Sequence, residues 1–164
     1  MTVSFREIAD LLRYDPVTGL LYWRGGPRRR PDGTPAGSLN ADGYLRVTVK
    51  YKRYPAHRLA WLLVRGEWPE RDLDHINGNR SDNRISNLRP CTDQQNQRNR
   101  KPMKHTHSGG LKGAIWDKRI GRWHARIKVD SRAVHLGTFD TPHEAHERYA
   151  QAAIARFGEF ARSA

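Results

Sequence analysis

A polar stretch at the centre of the chain, roughly residues 70–100, most constrains what this sequence can become. It carries Asn77, Asn79, Asn83, Asn87, Asn96 and Asn99 among charged residues, so it offers loops and short elements rather than a core. Its pattern reads as the strand-like Leu73-Asp74-His75, a loop from Ile76 to Arg84, a second short strand from Asn87 to Cys91, and a helix. That helix opens at Thr92-Asp93-Gln94-Gln95, a capping-box match, and runs to about Lys101, before Pro102.

The flanks carry the apolar pattern. Ser4-Phe5-Arg6-Glu7 is a capping box ahead of Ile8, Leu11 and Leu12, which predicts a short amphipathic helix. Tyr14 to Gly19 is turn chemistry and Leu20 to Trp23 a short strand; Gly25 to Gly37, with the run Arg28-Arg29-Arg30, is a loop. Tyr44 to Val49 alternates in strand fashion and turns through Lys50–Lys52 into a return strand through Tyr54. His57 to Arg65 reads as a buried helix capped by Gly66. Residues 101–110, with Pro102, His105, His107, Ser108, Gly109 and Gly110, read as a linker, with no ligand role for the two histidines. Beyond it, Gly113–Trp116, Trp123–Val129 and Arg132–Thr138 read as three strands. Thr141-Pro142-His143-Glu144 then starts a helix that ends at Gly158.

Composition narrows the function. The chain has 164 residues, enough for one ordinary domain or two small ones, and its 30 Lys+Arg against 17 Asp+Glu give a formal charge of +13. On a folded chain that excess points first to a polyanion, and nucleic acid is the commonest. Fifteen aromatic side chains (five Trp, six Tyr, four Phe) argue against full disorder. No apolar run approaches the ~20 residues of a membrane span, and residues 1–8 lack a signal-peptide pattern. The lone Cys91 excludes an internal disulfide and any zinc site needing two cysteines, which fits a reducing, cytoplasmic setting.

The polar stretch also carries the chemistry. Hydrolysis of a phosphodiester near neutral pH needs a base for water, charge neutralisation at the phosphoryl oxygens, and stabilisation of the leaving oxygen. His75 suits the base, with an unperturbed pKa of ~6.5, and oxygen donors from Asp and Asn suit a hard divalent cation. Taken singly, an Asp-His pair is usually surface decoration and an Asn-rich loop usually a turn. The joint spacing over Asp74-His75-Ile76-Asn77-Gly78, Ser81-Asp82-Asn83-Arg84, Ser86-Asn87-Leu88-Arg89 and Asn96 is what carries weight. One tension is physical: strand neighbours point to opposite faces, so the strand must end or twist at His75 for Asp74 and His75 to address one phosphate.

With Ala56-His57-Arg58-Leu59-Ala60 leading in, the segment Tyr54–Arg100 resembles the HNH endonuclease family, whose ββα-metal fold is a strand, an ordered loop, a strand and a helix around one metal ion. The resemblance implies that His75 is the general base, that Asp74 binds the metal, that Asn87 holds the loop and orients His75, and that Asn96 is the second protein ligand. Asn96 stands where the family name has His. The implied cofactor is a divalent metal ion, Mg²⁺ before Mn²⁺.

The C-terminal residues resemble the AP2 DNA-binding domain, a three-stranded antiparallel sheet packed on one helix. The resemblance rests on Gly110–Trp116, Gly121–Ile127, Leu136-Gly137-Thr138-Phe139-Asp140-Thr141-Pro142 and Glu144-Ala145. Between residues 98 and 128 there are ten Lys+Arg and one acid, Asp117. The expected DNA contacts are Lys112, Trp116, Lys118, Arg119, Arg122, Trp123, Arg126 and Lys128, with Arg58 added from the nuclease segment. Trp116 and Trp123 serve equally well as sheet-to-helix core, where Phe139 is expected.

The whole reads as an α+β chain: a lead-in over 1–53, a ββα-metal HNH core over 54–101, a linker over 102–108 and an AP2-like unit over 109–164. It resembles small phage proteins of the homing-endonuclease type. The expected activity is metal-dependent cutting or nicking of double-stranded DNA, leaving 5′-phosphate and 3′-hydroxyl ends, with no membrane or protein partner implied. Two alternatives stand beside it: a DNA-binding regulator with a decayed nuclease site, and a basic RNA-binding or structural protein.

Overall fold

The structure, a computed structural model, describes residues 3–25, 31–98, 110–130 and 132–161. Arg28–Arg30, His105, His107 and the linker expected over 102–108 lie outside the described residues. Two compact units emerge, Met1–Asp93 and Gln94–Ala164.

In the first unit, helix α1 (Phe5–Ala9) starts at the Ser4–Glu7 capping box, whose two reciprocal bonds form as the sequence predicts. Leu11 and Leu12, expected on this helix, lie beyond it, because the chain turns at Asp10 and enters β1 (Leu12–Tyr14). There Leu12 stays fully buried while its backbone pairs with β2 (Leu21–Trp23). Strands β3 (Ser38–Leu39), β4 (Leu45–Val49) and β5 (Lys52–Pro55) form an antiparallel sheet in the order β3-β4-β5. Strand β3 had no strand signal of its own.

Helix α2 (Ala56–Arg65) follows β5 directly and ends at Gly66 in the left-handed conformation. It buries Leu59, Ala60 and Leu62. Leu59 and Leu62 join one cluster with Ile8, Leu12, Leu21, Val47 and Val49. Each fully buried Leu or Ile contributes about 2 kcal/mol, so this cluster is the scaffold for everything polar above it. A border at residue 53 falls inside β5, and residues on either side of it share the core.

Strands β6 (Asp72–His75) and β7 (Leu88–Cys91) pair antiparallel, with Asp74 opposite Arg89 and His75 opposite Leu88. Between them runs the polar loop, closed by a 3₁₀ turn at Ile85–Asn87. Gly19, in the β1–β2 turn, sits so close to this loop that a Cβ there would lie 2.5 Å from the Arg84 backbone nitrogen, and its φ is +75°. Helix α3 (Asp93–Arg98) begins where the first unit ends.

The second unit is the antiparallel sheet β8 (Ala114–Asp117), β9 (Arg122–Val129) and β10 (Arg132–Phe139), in the order β10-β9-β8, covered by helix α4 (Pro142–Phe157). The helix opens on the Thr141–Glu144 capping box with Pro at its first turn. Ala114, Ala125 and Ala145 meet as small residues between sheet and helix, and Tyr149 and Ala153 extend the core alongside Ile127.

Replacing Gly19 with Ala puts a non-glycine residue at positive φ and drives its Cβ into the Arg84 backbone. Chemical denaturation should show a loss of about 2 kcal/mol or more.

Candidate active site

The polar loop is held by its own amides. Asn87 accepts the Asn77 N–H on Oδ1 at 3.0 Å and donates from Nδ2 to Asn77 Oδ1 at 3.0 Å and to the Asp82 carbonyl at 2.8 Å. Asn77 Nδ2 donates to Asp82 Oδ2, and Arg84 clasps the same carboxylate through Nε and Nη2 at 2.8 and 2.6 Å. The Arg84 guanidinium, more than the Asn77 amide, holds the Asp82 pKa down to about 2. Four polar side chains thus satisfy one another, as a loop without apolar anchors requires.

His75 ends β6, at the residue where the strand must stop, and is only 4% exposed. Its Nε2 lies 3.2 Å from Oδ1 of Asn83, which is fully buried. Asn83 Nδ2 donates to the Ser81 carbonyl, which settles which end of the amide faces the ring. Nε2 is therefore the protonated nitrogen, and Nδ1 is the ring's acceptor. Burial lowers the His75 pKa below its ordinary value, partly countered by the Asn83 bond and the Asp74 and Asp82 charges. A neutral imidazole with a fixed tautomer is the form a general base takes.

Around it stand residues with no catalytic signal in the sequence. The His57 ring meets His75 edge-on at 5.1 Å, and Tyr44 lies 5.9 Å from His75 and 5.7 Å from His57. His57 is 8% exposed, and its Nδ1 has no hydrogen-bond partner among the described residues. Burial pushes its pKa to about 3, with the charges of His75, Arg58 and Arg46 adding to the shift. Tyr14, 69 residues before Asn83, donates its hydroxyl to the Asn83 carbonyl at 3.1 Å and accepts the Ile85 N–H at 3.0 Å.

Asp74, 5% exposed, accepts from Arg89 Nε and Nη2 on Oδ2 at 3.1 and 2.9 Å. The cross-strand register makes this pair, and near-complete burial makes it stiff. Among the described residues no group of three or more His, Cys, Asp or Glu is gathered as a metal cage. A buried carboxylate is the oxygen donor a hard cation that keeps several waters takes, so the chemistry of Asp74 fits such an ion. Asn96 stands half-buried on α3, in the second unit. Arg58 is occupied within the first unit, donating to the Pro69 carbonyl at 3.3 Å and lying 3.9 Å from Asp72. Burial lifts the Cys91 thiol to about 11, which leaves no thiolate near neutral pH.

In the second unit the sheet sorts the expected DNA contacts by face. Arg122, His124, Arg126 and Lys128 alternate on β9 with Trp123, Ala125, Ile127 and Val129. Trp123 packs against the Ala114–Ala125–Ala145 cluster, and Trp116 pairs with it across the strands at 5.1 Å. Trp116 shares the face of Trp123 by register, and both are half-buried. Arg126, Lys128 and Lys118 are exposed. Arg122 pairs with Asp140 at 2.8 Å and Arg119 with Asp117 at 3.7 Å. Lys112, half-buried, gives its carbonyl to the His146 ring at 2.8 Å. His124 donates to Asp117 and accepts from the Thr138 hydroxyl, which crosslinks all three strands.

Comparison with known proteins decides the family. Residues 54–98 match the family described as HNH endonuclease. Over 83 residues the chain is 30% identical to Protein 3.8 of Escherichia phage T7, spanning 50% of this chain and 68% of that protein. The chain belongs to the HNH endonuclease family. It is an endonuclease, a hydrolase, with the matched HNH segment running from β5 into α3. Among solved structures, the HNH homing endonuclease I-HmuI, described as binding and cleaving DNA, aligns with 96% of this chain and 84% of its own at 17% identity. The TM-score is 0.45, too low to carry an argument.

The sequence singled out Asp74, His75, Asn87 and Asn96 and held Asn83 and His57 within its motif, while the contacts of Asn83, Tyr14, Tyr44 and His57 around His75 belong to the folded chain. His57 makes a pH prediction. Its folded pKa lies below the unfolded value of ~6.5, so the native state refuses a proton that the unfolded chain takes. Stability is therefore full above pH ~6.5 and falls toward pH 3 by up to ~1.4 kcal/mol per pH unit from this group. In pH-dependent denaturation, His57→Phe should flatten that slope.

Proposed function

We propose that this chain is a metal-dependent endonuclease of homing type that hydrolyses phosphodiester bonds in double-stranded DNA and leaves 5′-phosphate and 3′-hydroxyl ends. The observation that carries the reading is the His75–Asn83 bond: a buried, neutral histidine whose protonated nitrogen is committed to an amide oxygen. His75 takes a proton from water through Nδ1. Asn87 holds the Asn77 and Asp82 ends of the loop together and so fixes where His75 stands. Asp74 would hold a divalent cation, Mg²⁺ before Mn²⁺, which would supply neutralising charge at the phosphoryl oxygens.

The domain reading is a lead-in over 1–53, the ββα-metal core over 54–101, a linker over 102–108 and an AP2-like DNA-binding unit over 109–164. In that last unit Arg126, Lys128 and Lys118 hold phosphates on the exposed face of the sheet, with Lys112, Arg119 and Arg122 beside them. Arg58 adds a contact from the nuclease unit. Among the described residues no helix is long and apolar enough to cross a membrane. The chain acts inside the cell, where duplex DNA is, as a phage- or prophage-encoded enzyme.

A regulator with a decayed nuclease site draws on one observation, that both Arg89 donors fall on Asp74. Supercoiled plasmid separates the two readings. Wild type should nick or linearise it with Mg²⁺ and not with EDTA. His75→Ala should lose 10²-fold or more in rate, in line with removal of a general base, while still shifting duplex DNA in a gel. Tight duplex binding without cleavage in Mg²⁺ or Mn²⁺, on DNA carrying a cognate site, supports the regulator. Asp74 needs a conservative change in this assay: Asp74→Ala removes the buried carboxylate that Arg89 pairs with, at a cost of about 3–5 kcal/mol in denaturation.

A further inference from the structure

The outer face of the β3-β4-β5 sheet carries one sign of charge and leads away from His75. Along β4, Arg46 and Thr48 are exposed while Val47 and Val49 are buried, and Arg53 on β5 stands opposite Thr48. Ser38 on β3 pairs with Arg46. No acidic residue occurs in the three strands. By the same alternation Tyr44 falls on the face of Arg46 and Thr48, and Tyr44 is the ring that touches His75.

The catalytic end of this face has its own cation. The Arg80 guanidinium lies 4.8 Å from the Tyr44 ring centre and donates to the Asp42 carbonyl at 2.8 Å. Its neighbours Arg84 and Arg89 are neutralised by carboxylates. Arg80, Arg46 and Arg53 have no carboxylate partner among the described residues, so their charges are placed but uncompensated.

At the far end, β4 and β5 are joined by the two-residue turn Lys50-Tyr51, with φ of 47° and 66°. Such turns favour Asn-Gly, because positive φ strains other residues. Lys50 is tied to the Glu7 carboxylate, whereas Tyr51 is fully exposed at 102%. An exposed aromatic kept on a strained turn signals use rather than packing.

We propose that this face is a track for the DNA strand flanking the scissile phosphate, running from Arg80 and Tyr44 through Arg46 and Arg53 to Tyr51. The inference rests on the nuclease reading of His75. From Tyr44 to Thr48 the chain takes four steps of ~3.4 Å, ~14 Å in all, the axial rise of about four nucleotides of one strand. Surface charge usually intersperses both signs; three strands with no acidic residue, contiguous with a phosphodiester-cleaving site, fit a polyphosphate strand.

The test is the salt dependence of binding, with a fluorescein-labelled duplex of random sequence and the full chain. Arg46→Gln/Arg53→Gln should weaken binding and lower the slope of log K against log[salt] by about 2, the loss of two phosphate contacts. Arg65→Gln, the loss of one charge at the end of α2, should leave the slope where it was. Tyr51→Gly relieves the turn, so it should bind duplex more weakly with no loss of thermal stability. A folded double variant with the wild-type slope overturns the proposal, and so does a slope lowered by about 1 in Arg65→Gln, the same loss per charge. Plasmid cleavage by wild type is scored separately. If wild type cuts while the double variant keeps its slope, the track fails and the nuclease stands. If wild type binds but does not cut its site, the nuclease reading fails and the slope still decides whether this face holds DNA.

Discussion

The bond between His75 and Asn83 is the constraint on which the rest of the first unit turns. A buried amide must satisfy both of its ends, and Asn83 does so with one end on Ser81 and the other on the imidazole. Its backbone carbonyl is claimed in turn by Tyr14. A buried histidine held in one tautomer therefore depends on a tyrosine from the first hairpin. That hairpin is placed by the core of Ile8, Leu12, Leu21, Leu59 and Leu62. The apolar cluster contributes the stability and the polar loop contributes the orientation, and neither substitutes for the other.

Asp74 shows how closely structure and chemistry share the same groups. Its pairing with Arg89 follows from the strand register and stabilises a buried charge that would otherwise be costly. It also places a cation beside the carboxylate best suited to a divalent ion, so charge balance at this site is set jointly by Arg89 and by whatever the carboxylate binds. Arg84 and Asp82 form the matching pair on the loop. Arg80 stands out between them because a backbone carbonyl and an aromatic face hold it without neutralising it. The second unit follows a different scheme. Small alanines let α4 approach the sheet closely, Trp123 packs against them, and the opposite face is left to cations and to the His124 crosslink.

Local pattern told much about the elements. The two capping boxes, the Gly66 terminus, the alternation of β4 and the order strand, loop, strand, helix around Asp74 and His75 were all legible, because each depends on residues within a few positions of one another. The misreadings were also local. Leu11 and Leu12 fit a helical face, yet strand pairing with β2 buried Leu12 better than a longer α1 would have. Strand β3, two residues long, carries no pattern to read.

The sequence by itself determined the residue types of the site, their spacing, the basic balance and the amphipathic faces. It also placed Asp74 and His75 at the end of one strand. Only the tertiary structure decided which of several asparagines would face the histidine, that Tyr14 and Tyr44 would join it, that His57 would be buried against it, and that Trp123 would pack against the alanine cluster. The reason is physical: periodicity says which face a side chain takes, but a hydrogen bond across 69 residues forms only when packing has brought its partners within about 3 Å.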